Sequence, residues 1–176
     1  MITDEALMLE FQRGSREAFE ELFERHRQPL HGFFQRRLES RERAEDLTQE
    51  TFLAVIRSTA RYQPRALVRT YLYGIALNLL AAERRRQSRD NSPAPELAAA
   101  DCPDDALWVK EAIAKLDATD REILMLREYE QLSYSEIAAL LRIPVNTVRS
   151  RLFRARMALK SYLQPEGTLR PSRDEV

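Results

Sequence analysis

The amino-acid sequence predicts an all-α protein made of two small helical domains with an acidic, flexible joint between them. Three observations carry this expectation. Only four glycines occur among 176 residues, while Leu, Ala, Glu and Arg dominate, a composition that favours helix over sheet. Apolar residues recur at spacings of three and four, without the sustained alternation of a half-buried strand. That periodicity vanishes in QSRDNSPAPELAAADCPDD, residues 87–105, where Pro, Ser, Ala and Asp take over as in an exposed linker.

The first helix is expected from about Asp4 to Arg13, with Leu7 and Phe11 on one side and Gly14 as its stop. Ser15 caps a second, whose stripe runs through Ala18, Phe19, Leu22, Phe23, Leu30, Phe33 and Phe34. Pro29 lacks an amide hydrogen and is expected to kink or restart it. A third helix, about 41–57, follows Ser40 with Ala44, Leu47, Thr51, Phe52 and Val55 facing inward. After STARYQP a fourth, about 65–86, carries Tyr71, Leu72, Ile75, Ala76, Leu79 and Leu80 at helical spacing. Beyond the linker, Asp104 caps a helix whose stripe is Leu107, Val109, Ala112, Ile113 and Leu116. TDRE (119–122) and SYSE (133–136) both fit the capping box, in which a hydroxyl and a carboxylate satisfy free amides at a helix start. They place helices at about 120–130 and 134–141. Pro144, with its fixed φ, then suits the first turn of a last helix.

On that last helix Val145, Val148, Leu152, Ala155 and Leu159 fall on one side and pack on the helices before it. Its other side is cationic. The 28 basic and 28 acidic residues cancel over the whole chain, yet residues 142–163 hold six basic groups and no acid. Residues 57–86 hold seven Arg against the lone Glu83, and residues 88–105 hold five acids and one Arg. Two basic zones separated by acidic ones point to one polyanion touched twice. Helix, tight turn, then a helix with one greasy and one basic side is the helix-turn-helix arrangement, whose second helix enters the major groove of DNA. Asn146, Ser150 and Arg154 lie opposite the buried stripe, with Arg149 and Phe153 on one shoulder and Arg151 on the other. Thr147 and Arg156 complete the candidate DNA-contacting set. Arg pairs bidentately with guanine, Asn and Ser bond base edges, Phe meets a thymine methyl, and the remaining cations neutralise phosphates.

At LSYSEIAALLRIPVNTVRSRLFRARMALK the chain resembles the minus-35-reading region of bacterial sigma factors of the extracytoplasmic-function group. AEDLTQETFLAVIR (44–57) is similar to the helix by which these factors hold the clamp of RNA polymerase. RTYLYGIALNLLAAERRR (69–86) is similar to their minus-10 region. The resemblance implies a sigma region 2 bundle over 1–87, a linker over 88–104, a sigma region 4 helix-turn-helix over 105–163, and a tail over 164–176. It implies a sigma factor that binds core RNA polymerase and reads minus-10 and minus-35 elements of promoter DNA, held in check by an anti-sigma factor. Asp46, Gln49 and Glu50 follow the clamp-binding pattern, with Leu47 and Phe52 as apolar contacts or, equally, as core. Arg61, Tyr62 and Arg65 lie in the loop where family members hold a flipped base, which calls for an aromatic to stack and cations to grip backbone. Asn78 matches the residue beside that pocket, and Arg84, Arg85 and Arg86 face nearby phosphates. Tyr71 stands where Trp is usual, and Gly74 and Leu77 where basic residues are frequent. The acidic linker suits polymerase channels that otherwise take nucleic acid, or merely stays soluble by its charge.

Other classes fit less well. An enzyme is not expected: no Gly-rich phosphate loop, metal cluster or Ser, His and Asp set occurs at a recognisable spacing. The single Cys102 excludes an internal disulfide, and His26 and His31 lie among Arg residues, so neither metal nor cofactor is expected. No apolar run of about 18 residues and no signal peptide is visible, which predicts a cytoplasmic protein without membrane insertion. A helix-turn-helix regulator acting without polymerase is the main alternative, and AEDLTQETFL is the stretch it would not need.

Overall fold

The computed structural model describes residues 2–64, 67–89 and 104–163. Among them regular structure is entirely helical: α1 (Asp4–Gln12), α2 (Arg16–Gln35), α3 (Arg41–Ser58), a 3-10 turn (Thr59–Arg61), α4 (Val68–Arg89), α5 (Asp104–Ala114), α6 (Ala118–Glu128), α7 (Tyr134–Leu141) and α8 (Val145–Leu163). They gather into two compact units, residues 1–100 and 101–176.

In the first unit α2 packs against α1, α3 and α4, while α4 also meets α1 and α3. Side-chain oxygens start three of these helices. Thr3 Oγ1 accepts from the Ala6 amide at 3.2 Å, Ser15 Oγ from Ala18 at 3.2 Å and Ser40 Oγ from Arg43 at 3.1 Å. Each such cap is worth about 1 kcal/mol. Gly14 ends α1 at φ +103°, a conformation that L side chains rarely adopt. Leu7, Met8, Leu22, Leu30, Phe33, Phe34, Leu47, Leu72 and Leu80 fill the core.

Helix α2 runs through Pro29 without restarting. Losing the backbone bond at Pro29 costs about 3 kcal/mol. Breaking the helix there would instead expose Leu30, Phe33 and Phe34, all buried and worth roughly 2 kcal/mol each. Burial wins. Helix α4 starts at Val68 rather than near 65 and continues to Arg89, two residues into the expected linker. Arg65 and residues 90–103 and 164–176 lie outside the described residues.

A buried carboxylate ties α4 to α3. Glu83 accepts from Arg43 Nη2 at 2.9 Å through one oxygen and from Arg86 Nη2 at 3.1 Å through the other. Burial pushes its carboxyl up, but the two arginines outweigh that and hold it below the ordinary 4.5. Asp4 behaves alike: burial raises it, while bonds from Arg25 and His26 bring it below 3.8. Both groups are depressed in the folded state, so their stabilisation is present at neutral pH and is lost as pH falls through the folded values. Acid titration of thermal unfolding is expected to show stability dropping below about pH 4.5, and Glu83→Gln should flatten that limb. An unchanged acid limb in the variant would refute the assignment.

In the second unit α8 packs on α5, α6 and α7. The SYSE capping box forms as expected: Ser133 Oγ accepts from the Glu136 amide at 3.2 Å and Glu136 Oε2 from the Ser133 amide at 2.8 Å. TDRE does not. Asp117 is the cap instead, accepting from the amides of Thr119 at 3.1 Å and Asp120 at 3.4 Å. Its carboxylate satisfies the free amides of a helix that starts two residues earlier, which leaves the Thr119 hydroxyl no capping role.

The turn between α7 and α8 places Arg142 at φ 55°, ψ 45°, left-handed space that costs a residue bearing a Cβ about 1–2 kcal/mol. Arg142→Gly is therefore expected to stabilise this unit by about 0.5–1 kcal/mol after the entropy cost of glycine. A urea midpoint unchanged or lowered would contradict that reading.

Candidate nucleic-acid and partner interfaces

Helix α8 carries the first surface. Val148, Leu152 and Ala155 are buried, as the period requires, and Val145 and Leu159 are half-buried. Asn146, Arg149, Ser150, Phe153, Arg154 and Arg156 are exposed. Phe153 shows 64% of its surface, and Met157 beside it, which sequence reasoning missed, is exposed too. Thr147 is half-buried, and its carbonyl accepts the Ser150 hydroxyl at 3.1 Å.

The charge on α8 is more compensated than its sequence implies, because acids from α6 lie against it. Asp120, buried, takes Arg151 Nη1 at 2.9 Å and Arg154 Nη2 at 3.5 Å on one oxygen. Glu128 takes Arg156 Nη2 at 2.6 Å, which holds that guanidinium charged more firmly still. Arg151 thus ties α8 to α6. Among the described residues no carboxylate lies within ion-pair distance of Arg149, which leaves it open to a new partner on this face.

The second surface joins the loop after α3 to α4. Arg61 and Asn78 are exposed. With Tyr71, Ala82, Arg85 and Arg89, Asn78 shares one face at 100° per residue. Arg84 lies about 120° away from that face, and Arg86 is drawn to Glu83. Tyr62 does not offer an exposed stacking ring. It is 7% exposed, packed against Tyr71 at 5.4 Å between centroids. Its hydroxyl is buried without a hydrogen-bond partner among the described residues. Apolar area outweighs one unsatisfied hydroxyl in this arrangement.

Helix α3 supplies the third. Asp46 and Gln49 are exposed and Glu50 half-buried. Arg43, whose other nitrogen holds Glu83, reaches Glu50 at 3.2 Å and Asp46 at 3.4 Å. Leu47 and Phe52 are corrected to core: they are 1% and 4% exposed. The Phe52 ring sits 4.7 Å from Phe23, within an aromatic row that continues through Phe19 to Phe11. The exposed apolar residues of α3 are instead Leu53 and Ile56, each 47% exposed. They follow Asp46 and Gln49 by seven residues, two turns, and so continue the same face. A groove of about 480 Å³ between α2 and α3 borders this face, with Arg27, His31 and Gln49 among its walls.

Comparison with known proteins accounts for most of the chain. Residues 22–90 match the family described as Sigma-70 region 2, and residues 106–159 match Sigma-70, region 4. The RNA polymerase sigma-H factor of Pseudomonas aeruginosa is 32% identical, over 92% of this chain and 94% of its own. The ECF RNA polymerase sigma-E factor of Haemophilus influenzae is also 32% identical, over 93% and 97%. Among solved structures, the sigma factor RpoE from Bartonella quintana, crystallised with the anti-sigma factor NepR, superposes with a TM-score of 0.72. That match is at 24% identity, over 84% of this chain and 98% of that one.

Proposed function

Because the chain belongs to the sigma-70 family of RNA polymerase sigma factors, in its extracytoplasmic-function group, we propose the following division of labour in promoter-specific initiation. Residues 1–87 hold core polymerase and engage the minus-10 element, residues 105–163 read the minus-35 element, and residues 88–104 join them. The observation that carries this is the helix-turn-helix of α7 and α8, with Asn146, Arg149 and Phe153 exposed opposite a buried Val148, Leu152 and Ala155. A regulator acting without polymerase is not favoured, because the chain pairs that element with a region 2 match.

In this reading Arg149 pairs with a base edge, Asn146 and Phe153 contact neighbouring bases, and Arg154 and Lys160 neutralise phosphates. Asn78 and Arg85 on α4, with Arg61 and Arg65 in the loop, hold the opened minus-10 strand. Asp46, Gln49, Leu53 and Ile56 form the patch on α3 for a polymerase element of basic and apolar character. The protein carries no chemistry of its own and works in the cytoplasm, where its polymerase is. Its silencing partner is an anti-sigma factor, as for the Bartonella protein, covering exposed apolar groups such as Phe153 and Met157 that polymerase and DNA otherwise use.

Runoff transcription with purified core polymerase over a promoter library tests the whole reading. Selected start sites sharing two elements one linker apart are expected. Transcription no different from core enzyme alone would overturn it.

A further inference from the structure

Two polar side chains of α1 grip the backbone on either side of the loop that follows α3, and neither belongs to a surface described above. The Gln12 side-chain amide donates to the carbonyl oxygens of Thr59 at 2.9 Å and Tyr62 at 3.2 Å. Glu5 Oε1 accepts from the amide of Val68, the first residue of α4, at 3.1 Å. That amide is one of the donors a helix start leaves without an intrahelical partner. Glu5 and Gln12 are seven residues apart, so they share one face of α1 and stand about 10 Å apart along its axis. One rigid helix therefore sets the distance between the end of the 3-10 turn and the start of α4.

The helix is itself anchored. Asp4 receives Arg25 Nη1 at 2.8 Å and lies 2.7 Å from His26 Nε2, both on α2, and Arg25 also reaches the Ile2 carbonyl at 2.9 Å. Phe11 packs on Phe19 of α2 at 4.8 Å between centroids. Core packing alone would need only the apolar side of α1. Long-range bonds from two side chains to the backbone at both ends of one loop are a different provision, because backbone bonds fix path rather than side-chain identity.

We propose that Glu5 and Gln12 are positioning residues for minus-10 recognition. They hold the two ends of the loop after α3, at Tyr62 and Val68, so that Arg61 and the side chains of α4 meet the unpaired strand in one geometry, without touching DNA themselves. The proposal rests on the assignment of this loop to the minus-10 strand. Holding a loop in its bound shape lowers the ordering cost of binding and sharpens discrimination among bases.

The test uses holoenzyme reconstituted from the full chain and core polymerase, retained on randomised single-stranded DNA, with the retained strands sequenced. Wild type should enrich particular bases at fixed positions. Gln12→Ala and Glu5→Ala should each lower retention roughly tenfold, the weight of about one stacked base, and flatten the enrichment. Glu5→Gln keeps an acceptor for the Val68 amide and should restore both. Core affinity and binding of minus-35 duplex should not move in any of the three, which separates positioning from a general loss of structure. Wild-type holoenzyme that enriches nothing would sink the assignment of the loop, and this proposal with it. Enrichment by wild type, unchanged in both alanine variants, would overturn the positioning role alone.

Discussion

Replacing Leu53 and Ile56 together by Ser is expected to weaken assembly with core polymerase roughly a hundredfold while leaving the first unit folded. Each side chain is half-exposed in the free chain, so covering the pair removes the remaining apolar area from water, worth about 2–3 kcal/mol in all. Stability should scarcely change, because neither residue carries the core. Leu47→Ala is the contrast. Leu47 is buried against neighbouring helices, and emptying its site costs about 3 kcal/mol of folding free energy, so assembly fails through unfolding instead. Urea midpoints separate the two routes to the same lost pull-down. A Leu53 and Ile56 double variant that folds and still binds core like wild type would remove α3 from the polymerase interface.

The sequence leaves Leu47 and Phe52 open between partner contact and core for a physical reason. In AEDLTQETFLAVIR the unbroken run FLAVI puts apolar residues on every side of the helix, and composition does not say which of them the neighbouring helices cover. The phase of Asp46 and Gln49 does say it, since residues seven further on share their face. Leu53 and Ile56 are therefore legible as the apolar end of the face that Asp46 and Gln49 begin. The helices and the SYSE box were readable because their causes are local: apolar period, a hydroxyl cap, a glycine stop. What lay beyond reach was contact between residues distant in the chain. Nothing in the spacing announces that Asp120 meets Arg151, that Glu128 meets Arg156, or that Gln12 reaches the carbonyl of Tyr62. The family resemblance offers Tyr62 as a ring for a flipped base, and only packing against Tyr71 shows it turned inward.

The same distinction gives α8 two arginines of opposite kind, and a paired substitution separates them. Arg149 is exposed with no acid against it among the described residues, so Arg149→Ala should leave the urea midpoint where it is. On the cognate promoter it should cost about 1–3 kcal/mol and relax preference at one base pair of the minus-35 element. Arg151→Ala should do the reverse. Asp120 is buried and Arg151 is its shorter partner, at 2.9 Å against 3.5 Å for Arg154. Removing Arg151 strands most of that carboxylate's charge, which costs about 2–3 kcal/mol here; a fully buried pair would lose more, but Arg151 retains some access to water. Asp120→Asn with Arg151→Met should recover part of that loss, because an apolar side chain and a neutral amide leave no stranded charge. Duplex binding by gel shift and urea denaturation read the two quantities independently. Loss of specificity from Arg151→Ala at unchanged stability would show that Arg151 is a base contact after all, and would move the reading edge of α8 toward α6.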